Sequence, residues 1–186
     1  MSSYATQNSL LLENLLDFYD LDDNLETMLN IINGESSISL RIVDWFATNY
    51  AKQKFTVYNK KDGSRFKVYT DYKLNLRAYS KKRFDPFCRW ERINIPYKDG
   101  KFIQTTLGQL NFFKWALDND VIKYIKNNYK EIESDMNCRN STSKSKRRLV
   151  SSNISGQKTR KKREELSVSA TKTIKKESVS IEIKFD

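Results

Sequence analysis

Large apolar residues almost disappear from the chain after Cys138. The stretch NSTSKSKRRLVSSNISGQKTRKKREE is rich in Ser, Lys and Arg. Such a segment buries too little apolar surface to offset the chain entropy that is lost on folding. We therefore predict a basic, mostly disordered linker over 138–177, so that a packed core has to be built from the residues before it.

The last residues, SVSIEIKFD (178–186), have a different pattern. Val179, Ile181, Ile183 and Phe185 alternate with polar side chains, which predicts a β-strand. A lone strand is unstable in water and has to pair with the edge of a sheet. That edge lies either in the same chain, which we favour, or in a partner protein that these four side chains would contact.

Charge divides the chain into three parts. The net charge is +11, yet residues 1–35 contain seven acids and neither Lys nor Arg. Residues 36–137 contain 20 bases and 11 acids, and residues 138–186 contain 14 bases and 5 acids. A basic body and tail are typical of proteins that bind polyanions.

The acidic N-terminal segment, 1–35, predicts one or two short helices. Two sets of apolar residues recur at helical spacing: Leu11, Leu12, Leu15, Leu16 and Tyr19, then Leu25, Met28, Leu29 and Ile32. Gly34 is suited to end the second helix. The apolar stripe packs on the chain's own domain, binds a partner, or covers the basic surface until nucleic acid displaces it.

Helix and hairpin patterns alternate in the body, 36–137. Ser36-Ser37 offers an N-cap for ISLRIVDWFATNYAKQ, Thr105 or Thr106 for TTLGQLNFFKWALDND, and a further helix is predicted for VIKYIKNNYKEIESDM. Alternation and Asp-Gly turns predict two hairpins, formed by KFTVY with RFKVY and by RINIPY with KFIQTT. Pro96 indicates an edge position or the end of a strand, while periodicity does not decide between strand and helix for 70–80.

These elements predict an α+β globular domain, with a small antiparallel sheet of two hairpins packed with about three helices. The acidic helical arm precedes this domain, and the disordered basic tail that ends in a strand follows it. No apolar run approaches the length of a membrane span. The N-terminus has no basic region before its Leu cluster, so a secretory signal is not expected.

The absence of histidine excludes many kinds of active site. It removes Ser-His and Cys-His pairs and nearly all common zinc sites, and the two cysteines cannot complete one. Phosphate-binding glycine motifs are absent too. Asp85, Glu91 and Asp99 lie among bases and are expected to form local salt bridges. We predict a protein that is not an enzyme, without metal, cofactor or small-molecule substrate.

The segment YSKKRFDPFCRWERI (79–93) combines cations with aromatic rings. Its candidate nucleic-acid-binding residues are Lys81, Lys82, Arg83, Arg89 and Arg92. Lys and Arg neutralise phosphates and release counterions, and rings can stack on the bases of single strands. Alternatively, Phe84 and Phe87 are core residues on either side of a turn at Asp85-Pro86.

Two further basic clusters lie in the tail. Their candidate nucleic-acid-binding residues are Lys144, Lys146, Arg147, Arg148, Lys158, Arg160, Lys161, Lys162 and Arg163. Such clusters suit non-specific phosphate contacts, and their spacing is equally typical of a two-part nuclear import signal.

Four stretches resemble an uncharacterised protein family of giant viruses, the nucleocytoplasmic large DNA viruses. They are SISLRIVDWFATNYAKQ, FKVYTDYKLNLRAYSKKRFDPFCRWERI, TTLGQLNFFKWALDNDVIKYI and SVSIEIKFD, of which the FDPFCR run is the most specific. The family has a basic pair after the Cys of that run, whereas this chain has Arg89-Trp90. The resemblance implies a setting in the virion or a cytoplasmic virus factory.

The sequence therefore predicts a non-enzymatic nucleic-acid-binding protein of a large DNA virus. DNA is a more plausible partner than RNA, and genome packaging, virion core organisation and transcription are the expected roles. The alternative is a minor structural virion protein that binds an acidic protein partner and adds its C-terminal strand to that partner's sheet. The expected location is the virion or host cytoplasm, with the host nucleus allowed by the basic clusters.

Overall fold

The structure is a computed structural model that describes residues 6–97, 101–151 and 176–177. For 101, 141–151 and 176–177 the backbone alone is described. Its helices are α1 Gln7–Asp20, α2 Asn24–Asn33, α3 Leu40–Trp45, a π-helical turn Phe46–Tyr50, α4 Ala51–Gln53, α5 Val68–Phe84, α6 Leu107–Asp118, α7 Val121–Asn127 and α8 Tyr129–Ser151. Its strands are β1 Val57–Asn59, β2 Arg65–Lys67, β3 Arg92–Tyr97, β4 Lys101–Thr106 and β5 Lys176–Glu177.

The acidic N-terminal helices pack on the rest of the chain. The Thr6 side chain caps α1, and Gly34, with a φ of 78°, caps α2. Leu15 and Met28 are fully buried, and the Tyr19 hydroxyl donates a 2.7 Å hydrogen bond to the Leu110 carbonyl on α6. Of the three alternatives for this segment, the structure therefore shows packing on its own core.

The predicted helix over 38–53 forms with a different start and an irregular centre. The N-cap is Ser39, whose side chain accepts from the Ile42 amide, so the prediction of a cap at Ser36-Ser37 is wrong. Ile38, just before the cap, is completely buried. A π-helical turn over Phe46–Tyr50 joins α3 to α4, and such turns accommodate one extra residue in a helix.

The first hairpin has shorter strands than its sequence pattern predicts. β1 and β2 pair from Val57↔Lys67 to Asn59↔Arg65, and Gly63 takes a φ of 80° in the predicted Asp-Gly turn. The hairpin ends at Lys67 because Val68 is the first residue of α5. The Val68 amide still donates a hydrogen bond to the Thr56 carbonyl.

The second hairpin has the predicted bounds. β3 and β4 pair from Arg92↔Thr106 to Tyr97↔Lys101, and β5 pairs with the other side of β4. Pro96 thus lies in an edge strand, as predicted. The two hairpins belong to separate sheets instead of the single sheet expected, because helix α5 intervenes directly after β2.

Residues 70–79, in the stretch that periodicity left undecided, are helical within α5, and Ser80 kinks the helix with a φ of 63°. Tyr72 and Phe84 on this helix meet Phe112 and Trp115 on α6, with ring centroids 5.8–6.4 Å apart. The apolar surface that these rings bury stabilises the helix on the core, although most residues between them are polar. The α5–α6 pair forms the centre of the core and positions the basic segment that follows.

The C-terminal helices differ from the sequence prediction in two ways. One continuous helix was expected here, but the helix is interrupted at Asn128, between α7 and α8. Helix α8 then continues past Cys138 to Ser151, into the segment for which a mostly disordered linker was predicted. Ile132 and Met136 anchor its first turns in the core, and adding residues to an existing helix is much easier than nucleating one.

The described part of the chain confirms the α+β class, with small antiparallel sheets and helices. None of its helices has the length and apolar character needed to cross a membrane. The predicted strand with Val179, Ile181, Ile183 and Phe185 lies outside the described residues. So do 152–175, which hold the predicted cations Lys158, Arg160, Lys161, Lys162 and Arg163.

Candidate nucleic-acid interface

The five cations predicted in the body lie in one continuous segment of structure. Lys81 and Lys82 are exposed at the C-terminal end of α5, where Arg83 is half-buried. Arg89 is exposed in the loop after the helix, and Arg92 is exposed at the start of β3. The helix end and its loop therefore present most of this charge to solvent.

Helix α5 adds two cations that the sequence reasoning missed. Lys73 and Arg77 are exposed and lie four positions apart in the regular part of the helix, so they share one face. Lys81 is exposed too, but it follows Ser80, whose backbone angles are not helical. Thr70, Leu74 and Ala78 are further exposed residues of the regular part. The four-residue spacing was visible in the sequence, but it became a signal only once the segment was known to be a helix. We call Lys73, Arg77, Lys81, Lys82, Arg83, Arg89 and Arg92 the basic surface.

The end of α5 is held against α6 by close packing. Gly108 on α6 lies very close to the end of α5. A Cβ atom at this position would be 2.7 Å from the Asp85 carbonyl oxygen and 3.2 Å from the Lys82 carbonyl oxygen. The Asn111 side chain donates a 2.9 Å hydrogen bond to the Arg83 carbonyl. These contacts fix the backbone from which the cations project.

The loop after α5 is anchored by its own turn and by two rings. The Asp85 carboxylate accepts from the Phe87 amide at 2.9 Å, and its carbonyl accepts from the Cys88 amide at 3.1 Å. Phe84 is fully buried, and Phe87 packs against the core. These two rings are therefore structural, which agrees with the alternative reading of the segment.

Two residues of the basic surface region take left-handed backbone angles. Ser80 interrupts α5 with φ 63° and ψ 169°, and Glu91 has a φ of 43°. Such angles are disfavoured by about 1–3 kcal/mol for residues other than glycine. The kink at Ser80 separates Lys73 and Arg77 from the last turn, and the turn at Glu91 orients Trp90.

A small cleft lies at the centre of this region. Its volume is about 160 Å³, and it is lined by Asn8, Lys82, Arg83, Trp90, Glu91 and Leu107. The Lys82 Nζ lies 3.9 Å from the centroid of the Trp90 ring, a cation–π distance. The Asn8 amide donates to the Glu91 carboxylate at 3.4 Å, which joins α1 to the loop.

The cations of the basic surface are not neutralised by the acids around them. Within the described side chains none of the seven forms an ion pair; Arg83 donates to the neutral Gln7 and Arg92 to the neutral Gln104. Asp85 and Glu91 form no salt bridge among these residues either, so that prediction is wrong for both: the first caps a turn and the second accepts from Asn8. Asp99 lies outside the described residues.

A second cleft, of about 300 Å³, contains cations that are partly paired with carboxylates. Tyr58 and Tyr124 stack there with ring centroids 4.9 Å apart, and the three lysines of the lining are Lys60, Lys61 and Lys123. Two of these lysines already have carboxylate partners at 3.7 Å, Asp62 and Asp120. Their charge is therefore largely compensated before any ligand arrives.

Asp44 is a titratable residue that sequence reasoning did not single out. Its carboxyl group is half-buried, and burial, followed by the charge of Asp85, raises its pKa to about 7. The two carboxyl groups are 41 positions apart in the sequence, so no local pattern reveals the pair. Across the residues whose side chains are placed, no group of three or more His, Cys, Asp or Glu is arranged to hold a metal ion.

The first tail cluster lies on the extended part of α8. Lys144, Lys146, Arg147 and Arg148 occupy helical backbone positions there. Positions 144, 147 and 148 share one face by the three- and four-residue rule, and 146 lies on another. The second tail cluster and the predicted partner-binding strand are beyond the described residues.

Comparison with other proteins places this chain among viral sequences. Residues 3–184 match DUF7197, a family of unknown function. An uncharacterised protein of Acanthamoeba polyphaga mimivirus is 49% identical over 118 residues, which cover 59% of this chain and 46% of that protein. The chain thus spans less than half the length of this relative, and no solved structure matches. The predicted resemblance is confirmed: the chain belongs to DUF7197, a family of unknown function represented in giant viruses.

Proposed function

We propose that the protein binds nucleic acid, preferentially DNA, through the basic surface. The observation that supports this proposal is the set of seven cations on α5, its following loop and the start of β3, which have no carboxylate partner among the described residues. Uncompensated Lys and Arg side chains gain free energy by releasing the counterions condensed on a phosphate backbone. A body with 20 bases and 11 acids adds a long-range attraction.

The spacing of the exposed helix cations suits a phosphate backbone. Four helical residues span about 6 Å along the helix axis. Phosphates of one DNA strand follow one another about every 3.4 Å along the duplex axis. Lys73 and Arg77 are therefore close enough to contact phosphates of one strand together.

Contacts of this type fix position and carry no sequence information. The proposed binding is accordingly non-specific, which suits genome packaging, virion core organisation or a general role in transcription. The basic residues of the tail would add further phosphate contacts. The virion or a cytoplasmic virus factory is the proposed location, and the tail clusters also allow the host nucleus.

A charge-removal experiment tests the proposal. The triple variant Lys73→Ala, Arg77→Ala, Lys81→Ala should weaken binding to a labelled duplex roughly tenfold or more at about 100 mM salt. The slope of log K against log salt should become shallower by about 3, since three phosphate contacts are lost. Fluorescence anisotropy over about 50–200 mM salt measures both quantities.

The matched control removes equal charge from the second cleft. Lys60→Ala, Lys61→Ala, Lys123→Ala changes the net charge by the same amount at positions where two lysines are already paired. This control should lose much less affinity. Equal losses in the two variants, or no binding by the unchanged protein at about 50 mM salt, would refute the basic surface as the site. Binding to polyglutamate in place of DNA would favour the acidic protein partner.

A further inference from the structure

The cleft contains an aromatic ring that the proposed electrostatic contacts do not use. Trp90 is 52% exposed, although tryptophan is one of the most costly residues to leave in water. The other two tryptophans both pack on the core or belong to it and donate their indole N–H to carboxylates: Trp45 to Asp135 at 3.0 Å and Trp115 to Asp71 at 2.6 Å. The Trp90 indole N–H makes no hydrogen bond to any residue of the described ranges.

The surroundings of Trp90 hold the ring at the surface. Glu91 follows it in a left-handed backbone conformation, and the Asn8 amide ties the Glu91 carboxylate to α1. Lys82 lies over one face of the ring at 3.9 Å, so a base has to stack on the other face, and Arg83 lines the same cleft. An exposed ring beside cations is the combination that single-strand-binding proteins use.

We infer that Trp90 stacks on an unpaired base while Lys82 and Arg83 contact the neighbouring phosphates, so that the ligand of this cleft is single-stranded nucleic acid. The inference rests on the proposed function and specifies its ligand class. In a duplex both faces of each base are covered by neighbouring bases, so a ring that projects from a protein surface can stack only where a base is unpaired.

The size of the cleft supports one base of a longer strand in preference to a free nucleotide. Its volume of about 160 Å³ is below the roughly 300–1,000 Å³ of pockets that enclose small molecules. A strand needs no such enclosure, because its further phosphates bind elsewhere on the basic surface. Lys73, Arg77 and Lys81 supply those contacts in the direction of α5.

The test compares single-stranded with double-stranded ligands on the full chain. Trp90→Ala should weaken binding of an oligothymidylate about 5- to 150-fold, the range that corresponds to the loss of one stacked base. Binding of a duplex of the same length, and of an abasic strand that keeps the phosphates, should change less than about twofold. Trp90→Phe should retain most of the single-strand affinity, because a smaller ring can still stack.

Tryptophan fluorescence gives a second, independent readout. The oligothymidylate should quench the emission of Trp90 in the unchanged protein, and Trp90→Phe should abolish this quenching while binding persists in an anisotropy assay. Circular dichroism before and after each substitution shows whether the variants fold, which an exposed side chain should allow.

The outcomes separate this inference from the proposed function. If Trp90→Ala weakens the duplex and the single strand equally, or weakens neither, the stacking site is refuted while nucleic-acid binding stands. If no nucleic acid binds to the unchanged protein, the proposed function fails first and the inference fails with it. Selective loss of single-strand binding, with quenching assigned to Trp90, would establish the site.

Discussion

Replacing Gly108 by alanine should force helix α6 away from the end of helix α5. Gly108 is buried in the first turn of α6 and faces the last turn of α5. A Cβ atom at this position would lie 2.7 Å from the Asp85 carbonyl oxygen, 3.2 Å from that of Lys82 and 3.4 Å from the Asp85 amide nitrogen. All three atoms belong to the backbone, so no side-chain rotation can relieve the contact.

The size of the effect follows from two opposing terms. Overpacking a rigid contact destabilises a protein by about 1–3 kcal/mol. Alanine is favoured over glycine in a helix by up to about 1 kcal/mol, which offsets part of the clash. Because a 2.7 Å contact with backbone belongs in the upper part of the first range, about 2–3 kcal/mol, we expect Gly108→Ala to reduce the free energy of unfolding by about 1–2 kcal/mol. The Tm should fall by about 2–8 °C for a chain of this length.

Thermal melts followed by circular dichroism measure this change, and nucleic-acid binding shows its consequence for the basic surface. Because the clash falls on the carbonyls of Lys82 and Asp85, single-strand affinity should fall together with the Tm. Gly34→Ala provides a contrast: no atom lies within 4 Å of the added Cβ, and only its φ of 78° is unfavourable. That variant should lose stability without losing affinity.

An unchanged or raised Tm for Gly108→Ala would refute the argument. It would mean that α5 and α6 can separate by the roughly 0.5 Å needed without losing other contacts. The hydrogen bond from Asn111 to the Arg83 carbonyl, which bridges the same two helices, opposes that movement.

Two other substitutions test the strained helix and the buried carboxyl group. Ser80→Gly should raise the Tm, because φ 63° with ψ 169° suits glycine, whereas Ala78→Gly in the regular part of the helix should lower stability by about 1 kcal/mol; a lower Tm for both would contradict the assigned strain. The pKa of Asp44 is raised from 3.8 to about 7, so the folded protein holds this proton more tightly than the unfolded chain does. Its contribution to stability is therefore fully present below about pH 4 and is lost as the pH rises to about 7, at no more than about 1.4 kcal/mol per pH unit. Asp44→Asn should remove this loss in urea titrations at pH 5 and 8, and equal pH dependence in both proteins would contradict it.

Local patterns were sufficient where sequence and packing agree. The second hairpin has the predicted bounds because alternation, a turn sequence and Pro96 all indicate the same register. Helix α6 begins as predicted after Thr106, whose side chain accepts from the Gln109 amide. Both elements are defined by neighbours within a few residues.

Helix α5 shows where local patterns stop being informative. Its sequence carries polar residues on most faces, so its periodicity fits a strand as well as a helix. The helical conformation is stabilised by ring contacts of Tyr72 and Phe84 with Phe112 and Trp115. These partners lie about 30–40 positions later in the chain. The same dependence explains the missed cations, because Lys73 and Arg77 share a face only when the segment is a helix.

The extent of α8 depends on packing in a related way. Composition from Cys138 onward predicts disorder when the segment is considered alone. The buried Ile132 and Met136 hold the first part of the helix against the core, and the helix continues from there to Ser151.

Sequence alone determined the α+β class, the uneven charge and the cations at the end of α5, because these depend on composition and on spacing over a few residues. Tertiary structure decided which of those cations lack a carboxylate partner, why Phe84 is core while Trp90 is exposed, and how Asp44 comes under the influence of Asp85. Burial and charge pairing join residues that are far apart in the chain, and only folding brings them within the few ångströms over which these interactions act.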